Sequence, residues 1–236
     1  MIWLGIDTAN TPLSVAIVKD GQLLAEENTS MAINHSLRAM PAIEEIFNKV
    51  NLSPSDIDAI AVSEGPGSYT GVRIGVTVAK TLAWTLEKPL KGVSSLKAIA
   101  MNGLFFNGLI CPIVDARREN VYAGVYESDN ERLTSVIEDG HYSLEELLAV
   151  LHEYEGPILF IGKDVSLHKD VLVEQLNGRA VIAPLHFNLP RASSLIYAAQ
   201  ESMDDEDVHN FVPEYRRIAE AEANWLKAQR KDKDRE

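Results

Sequence analysis

A glycine-rich segment at a strand-to-helix turn is the most informative chemical pattern in the sequence. It reads Gly65-Pro-Gly-Ser-Tyr-Thr-Gly-Val-Arg-Ile-Gly75 and places glycines and hydroxyls where a predicted helix begins. Free backbone N–H groups at a helix start can bind an anion, so Gly65, Gly67 and Ser68 are candidate phosphate-binding residues. The segment is not a P-loop, because the Gly-Lys-Ser/Thr ending is missing and Arg73 lies inside the helix. A tight turn without a ligand is the alternative.

Two aspartates end predicted strands at matching places in the two halves of the chain. Asp7 closes the apolar run that opens the chain, with Thr8 beside it, and Asp115 closes a similar run that begins near residue 109. A carboxylate at a strand end can reach a metal–nucleotide complex in a cleft, so these three residues join the candidate nucleotide-binding set. Aspartate is also an ordinary turn former, and residue type alone leaves both interpretations open.

Very small residues form a stripe along the helix that follows the glycine-rich segment. Gly71, Gly75, Ala79 and Ala83 recur every four residues. Glycine inside a helix costs roughly 1 kcal/mol relative to alanine, so the stripe indicates the close approach of another backbone. That neighbour is either this chain's own sheet or first helix, or the surface of a partner protein. The spacing favours neither.

No set of residues suggests independent catalysis. The six histidines include no pair at zinc-ligand spacing, and the Gly-x-Ser-x-Gly motif of serine hydrolases is missing. The one cysteine, Cys111, lies in an apolar segment before Pro112, which favours a core position, and it excludes an internal disulfide. The sequence therefore predicts no catalytic residues and no metal ligands.

The charge balance disfavours autonomous binding to nucleic acid. The chain has 236 residues, with 22 Lys and Arg against 35 Asp and Glu, and a formal net charge of −13. The tail from Arg216 onward mixes both signs, which is typical of a solvated helix; a weak RNA contact is the alternative. The N-terminus lacks the cationic region of a signal peptide, and the longest uncharged run, residues 98–114, is too short to span a membrane. We expect a cytoplasmic protein.

The hydrophobic pattern predicts one α/β unit used twice. Predicted strands occupy residues 2–7, 13–18, 22–27, 57–62, 109–115, 120–126, 132–138, 158–161 and 180–182. Predicted helices occupy residues 34–50, 143–151, 166–176 and 192–202, and one more runs from the glycine-rich segment to about residue 86. This repetition predicts two lobes, residues 1–104 and residues 105–236 with the charged tail, and a ligand cleft between them.

Several short motifs together point to a known family. Besides the highly specific glycine-rich segment, they are Leu4-Gly-Ile-Asp-Thr8, His35-Ser36, Val114-Asp-Ala-Arg117 with Val121-Tyr122, and Pro213-Glu-Tyr-Arg216. Over essentially the whole chain they resemble the TsaB family of bacterial tRNA threonylcarbamoyladenosine biosynthesis proteins. The resemblance implies an α/β fold of two diverged RNase H-like lobes, the actin/Hsp70/sugar-kinase (ASKHA) superfold.

The resemblance also implies that this subunit is not the catalyst. The catalytic relative, TsaD, carries metal-binding histidines in a Val-Asn-His-x-x-x-His pattern, whereas residues 93–99 here read Val-Ser-Ser-Leu-Lys-Ala-Ile. Ser95 and Ile99 occupy the histidine places. A serine hydroxyl is a poor metal ligand and an isoleucine is none, so the chain is not expected to bind the catalytic iron or zinc.

Partners follow from the same resemblance. TsaB-like proteins pair with TsaD, and the pair recruits the ATPase TsaE to transfer a threonylcarbamoyl group to the adenosine beside the tRNA anticodon. The subunit would form a homodimer when alone and would meet tRNA only through the complex. No firmly bound cofactor is expected. ATP or ADP at the lobe cleft or at a complex interface is an open alternative, and so is a nucleotide-binding regulatory module or a small-molecule kinase of the same superfold.

The small-residue stripe and the first two helices define a candidate partner interface. Its members are His35, Gly71, Val72, Arg73, Gly75, Val76, Ala79 and Ala83. The stripe would supply the close helix packing of a stable interface. Gly75→Leu is therefore predicted to abolish pairing while leaving the monomer folded.

Overall fold

Two mixed β-sheets with flanking helices make up the structure. The computed structural model describes residues 1–31, 34–201 and 207–215. The strands are β1 Ile2–Asp7, β2 Leu13–Lys19, β3 Gln22–Thr29, β4 Ala59–Gly65, β5 Leu90–Ser94, β6 Leu109–Arg117, β7 Asn120–Ser128, β8 Leu133–Ser143, β9 Ile158–Ile161 and β10 Ala180–Ile182. The helices are α1 His35–Val50, α2 Tyr69–Leu86, α3 Ser95–Ala100, α4 Leu144–Leu151, α5 Val165–Gln175 and α6 Ala192–Gln200. None of the helices in these ranges is long and apolar enough to cross a membrane.

The two sheets repeat one plan. The first has the strand order β3-β2-β1-β4-β5, and the second has the order β10-β9-β6-β7-β8. The central strand of each, β1 or β6, pairs antiparallel with the strand that follows it and parallel with a strand that comes later. The prediction of one α/β unit used twice is confirmed.

Helices α1 and α2 cover one face of the first sheet because each presents one apolar side to it. Asn34 caps α1 by accepting a hydrogen bond from the Ser36 N–H at 3.1 Å, as its sequence position predicts. The buried side of α1 includes Ile43, Ile46 and Phe47, which recur at helical spacing. Ser68 caps α2 in the same way. Because β3 and β4 run in the same direction, the helices that follow them begin at the same edge of the sheet.

Helix α3 was missed by the hydrophobic pattern. It is one and a half turns long and starts at Ser94, whose hydroxyl accepts hydrogen bonds from the N–H groups of Leu96 and Lys97 at 3.1 and 3.2 Å. Its side chains lie between the two sheets, in a core cluster that also contains Trp3 of β1 and Ile110 of β6. So short a helix, buried on most sides, has no amphipathic periodicity to detect.

The end of the chain returns to the first sheet. The Ala192 N–H at the start of α6 donates to the Ser14 hydroxyl of β2 at 2.7 Å, and a side chain at Gly5 of β1 would lie 2.6 Å from the Ala192 carbonyl oxygen. Further on, Phe211 is buried in the core beneath α1 and α2. The lobe division after residue 104 stays a prediction, and the charged tail from Arg216 lies outside the described residues.

Candidate functional site

A cleft of about 700 Å³ opens between the two halves of the molecule. Its lining draws on the loops after β1, β4 and β6, on the start of α5 and on the end of the described chain. The polar and aromatic residues around it include Asn10, Ser68, Tyr69, Asp115, Arg117, Tyr122, Lys163, Asp164, Glu214 and Tyr215. The predicted cleft is therefore present, and three of the six candidate nucleotide-binding residues, Gly67, Ser68 and Asp115, line it.

The glycine-rich segment packs against the loop after β1. A side chain at Gly67 would collide with the Ala9 carbonyl oxygen, and one at Gly71 would collide with the Thr8 carbonyl oxygen. The Ser68 N–H donates to the Ala9 carbonyl at 2.7 Å. This N–H at the helix start is therefore used inside the chain, and the glycines serve close packing of two backbones. Phosphate contact at Gly67 and Ser68 stays a prediction.

Gly65 has a different neighbour. It lies in the left-handed region with φ +112°, and a side chain there would lie 2.5 Å from the Glu214 carbonyl oxygen. The Glu214 N–H donates to the Glu64 carbonyl at 2.7 Å, so the end of the described chain covers this residue. Gly65 is thus a point of backbone contact, and it does not line the cleft.

Asp7 and Thr8 do not reach the cleft, which corrects their prediction as nucleotide ligands. Both are buried. The Thr8 hydroxyl donates to the Gly71 carbonyl at 2.7 Å, and Asp7 Oδ1 accepts from the Ala9 N–H at 2.9 Å. The Ser63 hydroxyl lies near the carboxyl group and also favours its charged form. Burial raises the pKa of Asp7 to about 6, although the Ala9 N–H acts in the opposite direction.

Asp115 and Asp164 lie next to each other on the side of the cleft that the second sheet forms. The Asp115 N–H donates to Asp164 Oδ2 at 3.0 Å, and Asp115 Oδ1 lies 3.7 Å from His168 Nε2. On the same wall, Lys163 Nζ donates to the Ser30 carbonyl at 2.9 Å. Within the described ranges, no group of three or more His, Cys, Asp or Glu side chains is arranged to hold a metal ion.

The small-residue stripe of α2 is internal, which corrects the predicted partner interface. Seven of the eight residues of that predicted interface are buried inside this chain, and six of them lie on α2: Gly71, Val72, Gly75, Val76, Ala79 and Ala83. A side chain at Gly75 would collide with the Thr8 hydroxyl. His35 is also buried, and its Nε2 lies 2.8 Å from the Asn10 carbonyl oxygen. The stripe allows α2 to approach the loop after β1, so Gly75→Leu would strain the fold itself.

The opposite side of α2 and the outer side of α1 expose large side chains that the stripe argument overlooked. We call this surface the α1/α2 face; it consists of Leu37, Met40, Tyr69, Arg73 and Trp84, all of them exposed. Arg73 stacks on the Tyr69 ring, with Cζ 3.9 Å from its centroid. Helix α2 contains no Asp or Glu in 18 residues, although the whole chain has a net charge of −13. Exposed Met, Tyr, Trp and Arg are enriched in protein interfaces, and the exposed carboxylates of this face, Glu44 and Glu45, belong to α1 and not to α2.

Comparison with known proteins identifies the family. The family model described as TsaD, tRNA N6-adenosine threonylcarbamoyltransferase, matches residues 22–225. The tRNA threonylcarbamoyladenosine biosynthesis protein TsaB of Bacillus subtilis is 45% identical over 230 residues, which cover 98% of this chain and 100% of that protein. The chain belongs to the TsaB family.

Two further relatives place this TsaB-family chain among its neighbours. The tRNA N6-adenosine threonylcarbamoyltransferase of Thermomicrobium roseum is 33% identical over 182 residues, 70% of this chain but 45% of that enzyme. The solved structure of YeaZ from Pseudomonas aeruginosa superposes with a TM-score of 0.78 at 25% identity, covering 91% of this chain and 99% of that one. The predicted ASKHA-type fold is confirmed.

Proposed function

We propose that this chain is a non-catalytic subunit in the formation of threonylcarbamoyladenosine in tRNA, and that it pairs with a TsaD-type transferase. The observation that carries the proposal is the full-length match to a TsaB protein in a chain whose α1/α2 face exposes large apolar and aromatic side chains. Because the TsaD family model also matches most of this chain, a TsaD-type protein has its own counterparts of α1 and α2. Two related faces of this kind can pair about an approximate twofold axis.

The positions of Ser95 and Ile99 support a non-catalytic role. The Ser95 hydroxyl donates to the Pro66 carbonyl, and Ile99 is buried with its side chain at the cleft. The Ser95 hydroxyl is a poor metal ligand that is already engaged inside the chain, and the Ile99 side chain has no ligand atom. Cys111 is buried, and burial raises the pKa of its thiol, which leaves it protonated and inert. The transferase chemistry is therefore assigned to the partner.

The remaining partners follow from this assignment. The pair recruits a TsaE-type ATPase, and tRNA meets this acidic chain only through the complex. Without its partner, the chain forms a homodimer through the same α1/α2 face. A small-molecule kinase is disfavoured, because Asp7, one of its two supports, is buried away from the cleft. ATP or ADP remains a candidate ligand at Gly67, Ser68 and Asp115.

A single charge on the α1/α2 face is expected to weaken pairing. Leu37 on α1 and Leu167 on α5 are exposed to nearly the same extent, 69% and 67%. Leu37→Glu should raise the dissociation constant with the TsaD-type protein of the same organism at least tenfold, since burying an unpaired carboxylate is costly. Leu167→Glu should change it less than twofold. Titration calorimetry with the purified partner measures both.

Each outcome of this titration has a clear meaning. If the wild-type chain does not bind the partner at all, the proposed function fails. If the wild-type chain binds and the two glutamate variants weaken binding equally, the proposed pairing stands, but the α1/α2 face is not the surface that makes it. Thermal denaturation of both variants should give wild-type midpoints, because the two leucines are exposed.

A further inference from the structure

The end of the described chain is held tightly against α2. We call residues 209–215 the strap. Lys80 Nζ, on α2, donates to the carbonyl oxygens of Phe211 at 2.6 Å and His209 at 3.2 Å. The Phe211 side chain is buried in the core beneath α1 and α2, and the Glu214 N–H donates to the Glu64 carbonyl near the end of β4. An ammonium group that holds two main-chain carbonyls fixes the course of the backbone between them.

The strap extends the aromatic surface of α2. The Tyr215 hydroxyl accepts a hydrogen bond from Arg73 Nε at 2.6 Å, and the Tyr215 ring lies 5.2 Å from the Tyr69 ring. At the other end of the helix, the His209 ring meets the Trp84 ring edge-on with centroids 6.4 Å apart. Both exposed aromatic side chains of α2 thus have a neighbour in the strap. The α1/α2 face and the strap form one continuous surface.

The outward side of the strap is not needed for its own packing. Phe211 turns inward, whereas the next residue, Val212, is 67% exposed and Tyr215 is 45% exposed. The strap's one carboxylate, Glu214, lies at the cleft, so no carboxylate stands between Val212 and α2. Tyrosine, tryptophan and arginine are the residues enriched in interface hot spots, and Val212 adds exposed apolar area beside them.

We infer that the strap is part of the surface that receives the TsaD-type subunit, with Val212 and Tyr215 as contacts and Lys80 as the positioning residue that holds them. This inference rests on the proposed function, because it extends the same α1/α2 face. It assigns a role to Val212, which is exposed and does not line the cleft. A strap fixed before binding loses little conformational entropy when the partner arrives.

Exposed valines on the two halves provide a matched test of the contact. Val212→Glu should raise the dissociation constant for the TsaD-type partner at least tenfold, whereas Val173→Glu, at a 43% exposed valine of α5, should change it less than twofold. Val212→Ser, which adds no charge, should give a smaller loss in the same direction. If Val212→Glu binds like wild type while Leu37→Glu is weakened, the strap is outside the interface and the proposed function stands. If wild type fails to bind, both fail together.

Hydrogen exchange separates the positioning role of Lys80 from a direct contact. Lys80→Met should weaken pairing several-fold and speed exchange of the Glu214 amide in the free protein, because the strap loses its anchor. Lys80→Arg should restore both, since a guanidinium can still donate to the two carbonyls. If Lys80→Met weakens pairing but leaves exchange of the Glu214 amide unchanged, Lys80 does not act by positioning the strap. If Lys80→Met speeds that exchange but leaves pairing unchanged, the strap does not contact the partner. Lys169→Met on α5 controls for the lost charge.

Discussion

Gly75→Leu is expected to lower the free energy of unfolding by about 3 kcal/mol or more, which is a large share of the total for a domain of this size. Even a Cβ at this position would collide with the Thr8 hydroxyl, and leucine adds three further carbons. The displaced hydroxyl would also lose its buried hydrogen bond to the Gly71 carbonyl. Chemical denaturation at neutral pH measures the change.

A matched control uses the exposed side of the same helix. Thr77, two residues along, is exposed, so Thr77→Ala should change the stability by less than about 0.5 kcal/mol. If the free energy of unfolding of Gly75→Leu lies within about 1 kcal/mol of the wild-type value, α2 is not packed against the loop after β1 as described. Gly75→Leu would then become a fair probe of pairing, as the sequence first suggested.

Asp7→Asn is expected to stabilise the protein at neutral and alkaline pH. Burial raises the pKa of Asp7 from 3.8 to about 6, and at 1.36 kcal/mol per unit this corresponds to about 3 kcal/mol. Below pH 4 the carboxyl is protonated in both states and imposes no penalty. Between about pH 4 and pH 6 the unfolded chain is ionised while the buried carboxyl stays protonated, so wild-type stability falls across this window. Above pH 6 the native carboxyl is ionised as well, and the loss stays constant. Asparagine keeps an oxygen for the Ala9 N–H and carries no charge.

The pH dependence distinguishes this mechanism from general repacking. The difference in unfolding free energy between Asp7→Asn and wild type should be about 2 to 3 kcal/mol at pH 8 and should shrink towards zero at pH 4. Asp170→Asn, at an exposed aspartate of α5, should show no such trend. A stabilisation that stays constant from pH 4 to pH 8 would contradict a raised pKa at Asp7.

Elements with strong local signals were predictable. Asn34 and the apolar side of α1 predicted a helix within one residue, and the four apolar residues of β9 and the short β10 match their predicted bounds. Helix α3 was not predicted, because its side chains are buried on most sides and so leave no amphipathic pattern. The return of α6 to the first sheet was also missed, because a helical period says which face is apolar and not which sheet covers it.

The candidate site was predictable in part, for a related reason. The glycines of α2 correctly indicated close backbone contact, but spacing does not identify the neighbour, and the neighbour is the Thr8 loop of the same chain. Asp115 lines the cleft, although β6 continues two residues beyond it to Arg117, and nucleotide binding at Asp115 stays a prediction. Asp7 occupies the equivalent place in β1 yet is covered, because α2 begins directly over that strand end. Exposure depends on packing between distant segments, which no local pattern contains.

The return of α6 and the strap to the first sheet has a consequence for synthesis on the ribosome. Strands β1 to β5 emerge within the first 94 residues, but α6, which packs on β1 and β2, and Phe211, which completes the core beneath α1 and α2, come only at residues 192–211. Until residues 192–211 have emerged, the nascent first sheet exposes apolar surface to solvent and to chaperones. The half of the protein that is made first is therefore the half that is completed last.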